Sequence, residues 1–210
     1  VKNYFDSCIE KYGNEALNLI GKQGGEINPG FYQVYYGNKI SYLCYTNTFS
    51  SCYNKKPFLL SYVEKEINSY MEQKLVNCAS DLKNSIQNQG YTVEGGSLTV
   101  NTKINSYTAI IDINYPITIK KGNTQVQQDK FNRLFNVPLG RLIKVAEDTV
   151  NGEINSLQGE WPYQSYILLQ NGEIELTRNE IRNTEIYSTN LRNDDYKFQF
   201  AIQNYVKPFP

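Results

Sequence analysis

The sequence predicts an α+β protein, and three observations carry that prediction. Apolar residues recur at helical spacing in two long stretches of the first 90 residues. Beyond residue 90 the pattern turns to alternation and apolar runs broken by glycine-asparagine turns. No steady strand–helix–strand alternation joins the two regions.

In chain order, Phe5, Cys8, Ile9, Tyr12, Ala16, Leu19 and Ile20 recur every three or four residues, which places one helical face over residues 4–20. Gly21 is positioned to cap that helix, and "GKQGGEINPG" cannot extend it. "FYQVYYGNKISYLCY" holds two aromatic-rich runs around Gly37-Asn38, a hairpin signature. Ser61-x-x-Glu64 then forms a capping box ahead of a long helix lined by Val63, Ile67, Tyr70, Met71, Leu75, Cys78, Leu82 and Ile86, with Gly90 as its stop. "SLTVNTKI" and "YTAIIDINYPITI" read as strands, with an edge or bulge expected at Pro116 and a Gly-Asn turn at 122–123. A further helix is expected over about 139–157, from Leu139, Leu142, Ile143, Ala146, Val150, Ile154 and Leu157. "YILLQNGEIEL" carries the strongest short hairpin signal, Asn171-Gly172, followed by strands in "TEIYSTNL" and "YKFQFAIQNYV" around a polar "RNDD" turn. Two subdomains are expected: 1–90, helix–hairpin–helix with all the cysteines, and 91–210, an antiparallel β-rich part, unless the two merge into one continuous domain.

Composition narrows the function classes. The 210 residues are 40% apolar and 20% charged, with 21 basic and 21 acidic side chains, so the chain is globular, uncharged overall and without the basic stripe that nucleic acid requires. Neutrality also removes a barrier to self-association. There is no histidine, which excludes a Ser-His-Asp triad, a Cys-His pair and a His-ligated zinc. No apolar run is long enough to span a membrane. Because the chain opens on Val1, a signal or anchor is expected upstream.

The four cysteines, Cys8, Cys44, Cys52 and Cys78, form no C-x-x-C pair and have no histidine to complete a metal site or activate a nucleophile. Two disulfides in an oxidising compartment are the economical reading. Cys44–Cys52 would close the short polar loop "CYTNTFSSC", leaving Cys8–Cys78 to join the apolar faces of the two helices.

The stretch "YFDSCIEKYGNEALNLIGKQGG" resembles a family of uncharacterised archaeal surface proteins, in which a membrane or pilin-like segment precedes an exported region with a similar Cys-helix-"GxQGG" start. "YPITIKKGNT" (115–124) and "VPLGRLIKVAEDTV" (137–150) resemble later blocks of the same family. The resemblance implies an exported, disulfide-bonded α+β domain and no reaction.

Functional candidates are few. Asp148, Asn151 and Glu153 cluster near a helix end, a spacing for a hard cation that is not the EF-hand loop, and Asp194-Asp195 sits in a turn. "QGGE" lacks the rest of a phosphate-binding loop. Tyr32, Tyr35, Tyr36, Tyr42 and Tyr45 could stack on sugars, with Tyr35 and Tyr36 as the contact pair. In the last strand Tyr196, Phe198, Phe200 and Ile202 face one way, opposite Lys197, Gln199, Ala201 and Gln203, so the strand could complete its own sheet or be donated to a neighbour, with "KPFP" ending the pairing.

The expectation is therefore a non-enzymatic extracellular or cell-surface protein without cofactor or metal, partnered by copies of itself in a filament, tube or layer. The alternative is a monomeric adhesin that uses the Tyr-rich hairpin on a glycan or host-cell surface. An exported hydrolase would instead reveal an inward-facing carboxylate pair of perturbed acidity in a cleft.

Overall fold

A computed structural model describes residues 2–156 and 161–204. Two long helices, α1 (Lys2–Lys22) and α2 (Leu59–Gln87), pack side by side and carry everything else. Of the stripes the sequence marks, Phe5, Ile9, Ala16 and Ile20 on α1 and Val63, Ile67, Met71, Leu75, Cys78 and Leu82 on α2 are buried. Cys8, Tyr12, Leu19, Tyr70 and Ile86 are half-buried, and Leu17, Leu59 and Ala79 join the buried residues in the core. The disulfide Cys8–Cys78 joins the two stripes, and Cys44–Cys52 closes the short loop. In the chain-entropy account these bridges are worth roughly 4.4 and roughly 2.5 kcal/mol respectively.

Between the helices run β1 (Tyr32–Tyr35), β2 (Asn38–Tyr45) and the two-residue β3 (Tyr53–Asn54). After α2 come β4 (Thr92–Gly95), β5 (Thr99–Ile104), β6 (Thr108–Lys121) and β7 (Thr124–Asn136), then α3 (Leu139–Asn155), α4 (Tyr163–Leu169), β8 (Ile174–Ile181), β9 (Thr184–Leu191) and β10 (Lys197–Gln203). Two sheets result. In the first, β6 is the spine, with β7 along one edge and β5 then β4 sharing the other. The second has the order β1-β2-β10-β9-β8, with β3 also on β2, and its β2–β10 pairing is parallel.

The sheets lie one after the other along the helix pair, which at ~1.5 Å per residue gives α1 a length of about 31 Å. The first half of α1 rests on the first sheet. Phe5 packs on Phe131 and Tyr115, Glu10 pairs with Arg133, and Gly13 lies where a Cβ would collide with the Phe135 ring. The second half rests on the second sheet: Tyr196 Oη donates to the Leu17 carbonyl at 2.7 Å, and Gly21 lies against the Lys197 carbonyl. Residues 1–90 and 91–210 therefore share one sheet, through β2 and β10, and one continuous core.

One edge of the first sheet is sealed by α2. The amides of Val100, Thr102 and Ile104 donate to Glu72 Oε1 (3.1 Å), Asn68 Oδ1 (2.7 Å) and Glu64 Oε1 (2.9 Å). The match is geometric: helix residues four apart rise about 6 Å, and strand residues two apart about 6.6–6.8 Å, so three successive turns meet three successive outward amides.

Several local expectations are corrected. The capping box does not form: α2 starts at Leu59 behind Phe58 with no side-chain cap, and Glu64 serves the β5 edge instead. Gly21 stays inside α1, and Gly24 and Gly25, at φ 71° and 85°, end it, with the Gly25 amide donating to the Ile20 carbonyl. The hairpin turn is Tyr36-Gly37, one residue earlier than Gly37-Asn38. Tyr163–Leu169 is helical, so Asn171-Gly172 links a helix to β8 and no hairpin forms there. Pro116 does fall at a register shift, between Asn114 and Ile117, where β6 passes from β5 to β4. Leu157 and the "KPFP" tail lie outside the described residues.

Two outcomes follow for stability. Removing Cys8 and Cys78 together (both to Ala) should lower the urea-derived unfolding free energy by about 2 kcal/mol more than removing Cys44 and Cys52. Asn68→Ala should cost about 1–2 kcal/mol by leaving the Thr102 amide unpaired, and the triple alanine variant of Glu64, Asn68 and Glu72 should also raise light scattering during refolding, as an opened sheet edge does.

Candidate functional site

The Tyr-rich segment is built outward from β2. On the face of the second sheet away from the helices, Ile40, Tyr42, Ile186 and Ala201 form a small buried cluster, with Tyr35, Tyr45 and Ile181 packed against it. Phe31 lies over both Tyr42 (4.8 Å between ring centroids) and Tyr45 (4.7 Å), and Tyr42 Oη is 2.8 Å from Thr184 Oγ1. Tyr42 is thus a core residue, and Tyr35 and Tyr45 are half-buried.

Tyr36 is different. It occupies the first position of a two-residue turn in which both residues have positive φ, 43° at Tyr36 and 79° at Gly37. Such turns favour Asn-Gly, because glycine has no Cβ and the short asparagine side chain bonds the local backbone, whereas other side chains are strained there by roughly 1–2 kcal/mol. The residue is 88% exposed; its ring meets the edge of the Tyr35 ring, at 4.5 Å between centroids, and the two side chains share a hydrogen bond. The same segment exposes Phe31, Tyr32, Val34, Phe49, Tyr53 and Phe58, and Lys39 Nζ sits 4.8 Å over the Tyr32 ring. In the disulfide loop the hydroxyls of Thr46, Thr48 and Ser50 lie within 3.0–3.3 Å of one another.

The terminal strand is interior. β10 pairs with β9 on one side and β2 on the other, and Phe198, Phe200 and Ile202 are fully buried in the main core. Ala201 is buried as well, on the opposite face, because a central strand is covered on both sides. Tyr196 precedes the strand and anchors it to α1, and burial pushes its phenol up in pKa. The far end is clamped by the disulfide loop: Thr46 donates to the Gln203 carbonyl, and the Cys52 amide donates to Asn204 Oδ1. Both edges of the strand are occupied within the chain, so donating it would require opening two ladders.

Between α3 and the second sheet lies a polar cluster that joins residues distant in sequence. Tyr187 Oη donates to Glu153 Oε1 at 2.6 Å and lies 3.2 Å from Glu185 Oε2, bridging two carboxylates. Arg178 Nη1 reaches Glu185 Oε1 at 3.1 Å, and its guanidinium lies 5.2 Å over the Tyr163 ring. Glu153 is 1% exposed, and the Glu185 side chain 25%. Burial, reinforced by the Glu153 charge and opposed by Arg178, pushes Glu185 up to about 7. The one trace in the sequence is a glutamate on the apolar stripe of α3, three residues after Val150; nothing local points to its partner on β9.

This is the inward carboxylate pair that an exported hydrolase would need, but its middle member, Tyr187, has no exposed surface. Cavities of about 390 Å³ (Tyr4, Leu82, Ile86, Tyr91, Ile119) and about 360 Å³ (Tyr107, Gly172, Glu173, Arg192) lie elsewhere. Lys56 Nζ donates to Ser41 Oγ at 2.7 Å, the spacing of a Ser–Lys nucleophile, but it also pairs with Glu26 at 2.6 Å, and Ser41 is buried. An ammonium committed to both groups has no lone pair to take the serine proton.

The residues weighed as a candidate cation site are turned apart. Asp148 accepts from Lys144 (2.6 Å) and Tyr166 (3.0 Å), Glu153 from Tyr187, and the Asn151 carbonyl from Asn155. Among the described residues no group of three metal-ligating side chains converges. Asp194 accepts the Tyr196 amide at 2.8 Å, the turn role its position suggests.

The buried cluster sets a pH dependence. Glu185 keeps its proton in the folded chain up to about pH 7, whereas in the unfolded chain it ionises near 4.5. The folded state therefore binds the extra proton across that window, and stability falls as pH rises through it, by roughly 2–3 kcal/mol. Denaturant melts should show a stabler protein at pH 5 than at pH 7.5, and Glu185→Gln should flatten that slope. A smaller slope of the same sign should remain from Glu147, which burial also raises.

No protein-family model, no curated protein and no solved structure matches this chain.

Proposed function

We propose that the protein is a non-enzymatic recognition module of the extracellular space or cell surface, and that its contact surface is the aromatic segment 31–58, with a glycan or another cell surface as partner. One observation carries this reading. Tyr36 stands almost fully exposed at a strained turn position where asparagine or glycine would cost less, and it receives little packing in return. A large rigid ring held out at an energetic cost suits a contact residue better than a scaffold one. Phe31, Tyr32 and the aromatics of the disulfide loop and the α2 start extend the same exposed character, and the cross-linked loop holds its part of the surface rigid. Two disulfides and the lack, among the described residues, of a helix long and apolar enough to cross a membrane are compatible with an extracellular site. The reading as a subunit of a self-assembling filament, tube or layer finds no support in the terminal strand, whose edges are both occupied.

Tyr36→Asn separates contact from scaffold. It should raise stability by ~0.5–1 kcal/mol, because asparagine tolerates the left-handed turn. It should also abolish binding on a glycan array or to intact cells, as should Tyr35→Ala combined with Tyr36→Ala. Undiminished binding by the stabilised Tyr36→Asn variant would refute the recognition surface.

A further inference from the structure

The outer face of the first sheet carries a patch of unusual composition for a strand surface. Two neighbouring cross-strand rows run over β5, β6 and β7: Asn101–Asp112–Asn132 and Thr99–Asn114–Lys130. All six side chains are exposed, and together they line one open depression of about 300 Å³. Four of the six are asparagine or aspartate, residues depleted from strands because they pack poorly on a pleated surface. Here they occupy matched positions on three adjacent strands in regular register, and the irregularity of β6 begins only past Asn114. The fold does not use their polar ends. Directly opposed side chains have Cβ atoms about 4.5–5.5 Å apart, within reach of one another. Yet among the described residues none of the six side chains takes part in a hydrogen bond or ion pair. Elsewhere on the same sheet exposed groups are engaged: Lys120 pairs with Glu94 at 2.9 Å, and Gln127 bonds Asp129 at 3.0 Å.

We infer that this face is a binding site for a neutral saccharide, separate from the aromatic segment 31–58 and independent of it. The chemistry of the array selects the ligand class. Each asparagine holds donors and an acceptor on one planar group, Asp112 only accepts, Lys130 only donates, and the Thr99 hydroxyl does both. Vicinal sugar hydroxyls donate and accept at once, so a row of amide, carboxylate and amide answers them in both senses. One negative and one positive charge cancel over the six residues, which leaves no field to gather a polyanion. A hard cation would meet a single carboxylate with an ammonium in the adjoining row.

The dimensions fit the same class. Three strands and two rows give a footprint of about 10 Å by about 7 Å, the size of one or two sugar rings. In the next row Ile110 stands opposite Leu134, which is 52% exposed, and the pair forms an apolar ledge for the C–H face of a ring. An open depression exchanges water bonds for ligand bonds nearly one for one, so a dissociation constant of roughly a millimolar is expected. Binding that weak is lost in the washes of a glycan array. The loss expected there of Tyr36→Asn therefore reports on segment 31–58 alone.

The test is a proton–nitrogen chemical-shift titration of the oxidised full chain with maltose, cellobiose, lactose, chitobiose and mannobiose in turn. At least one sugar should move the side-chain amide signals of Asn101, Asn114 and Asn132 saturably, and equally in the wild type and in Tyr36→Asn. Asp112→Thr combined with Asn132→Thr should weaken that binding roughly tenfold or more while raising the melting temperature, because threonine suits an exposed strand. Unmoved side-chain signals with all five sugars, or shifts that survive the double threonine variant, would overturn the proposal. So would calcium chloride moving the same signals where the sugars do not, which would make the face a cation site. Should the double variant fail to fold, the wild-type titration decides alone: saturable shifts centred on residues other than these three asparagines would overturn it.

Discussion

Both sheets of this protein depend on one contact, the packing of α1 against α2 through the stripes that Cys8 and Cys78 join. Neither sheet buries both of its faces by itself. The first has an outer face of Thr99, Asn101, Asp112, Asn114, Lys130 and Asn132, so its inner face must find cover, and the two helices supply it. The second takes cover from the ends of the same helices and from α3. A helix long enough to reach both sheets could swing against its neighbour, and a covalent bond near one end restrains that motion where the helix crosses the first sheet. Close approach does the rest: Gly13 under Phe135 and Gly21 under the start of β10 let the backbones come nearer than any larger residue would allow.

Polar groups are committed with the same economy in the interior. Glu64, Asn68 and Glu72 are spent on strand amides, Lys56 and Glu26 on each other, and Glu153 on Tyr187. The Glu153–Tyr187–Glu185 bridge shows why perturbed acidity alone does not define an active centre. A raised carboxyl pKa records burial, and the phenol that joins the two acids is itself sealed from solvent. The surface, by contrast, concentrates exposed rings in one 28-residue stretch, and there the chain tolerates backbone strain.

Much of this was legible in the sequence where burial imposes a period. The two long helices and their buried faces follow from spacing, the cysteine pairing from loop length and stripe position, and the β6 irregularity from a proline in a strand. What escaped follows from weaker patterning. β7 gives little strand signal because only Phe131 and Phe135 of its 13 residues are buried, and the rest are mostly Gln, Asn, Lys, Arg and Asp. "YILL" is apolar without being buried, and a short apolar run does not distinguish helix from strand. Ser61 and Glu64 carry the right spacing for a cap, but tertiary demand from the β5 edge claims the glutamate. The acid bridge joins α3 to β9, and no local rule could pair them. Tyr35 and Tyr36, adjacent in the chain, differ because a turn sends one ring back onto the sheet and leaves the other outside.

The position of β10 has a consequence for how the second sheet forms. The strand between β2 and β9 is the last of the described strands in chain order, and Tyr42 meets Ala201 across about 160 residues of intervening chain. Until that segment is in place, β2 lacks its strand neighbour on the side away from β1, and Ser41 ties the β1–β2 hairpin to the end of α1 and to Lys56. The second sheet therefore closes through pairings of long sequence separation, which form more slowly than local ones. A sheet assembled across such a separation carries a large loop-closure entropy, which its contacts must offset before it holds.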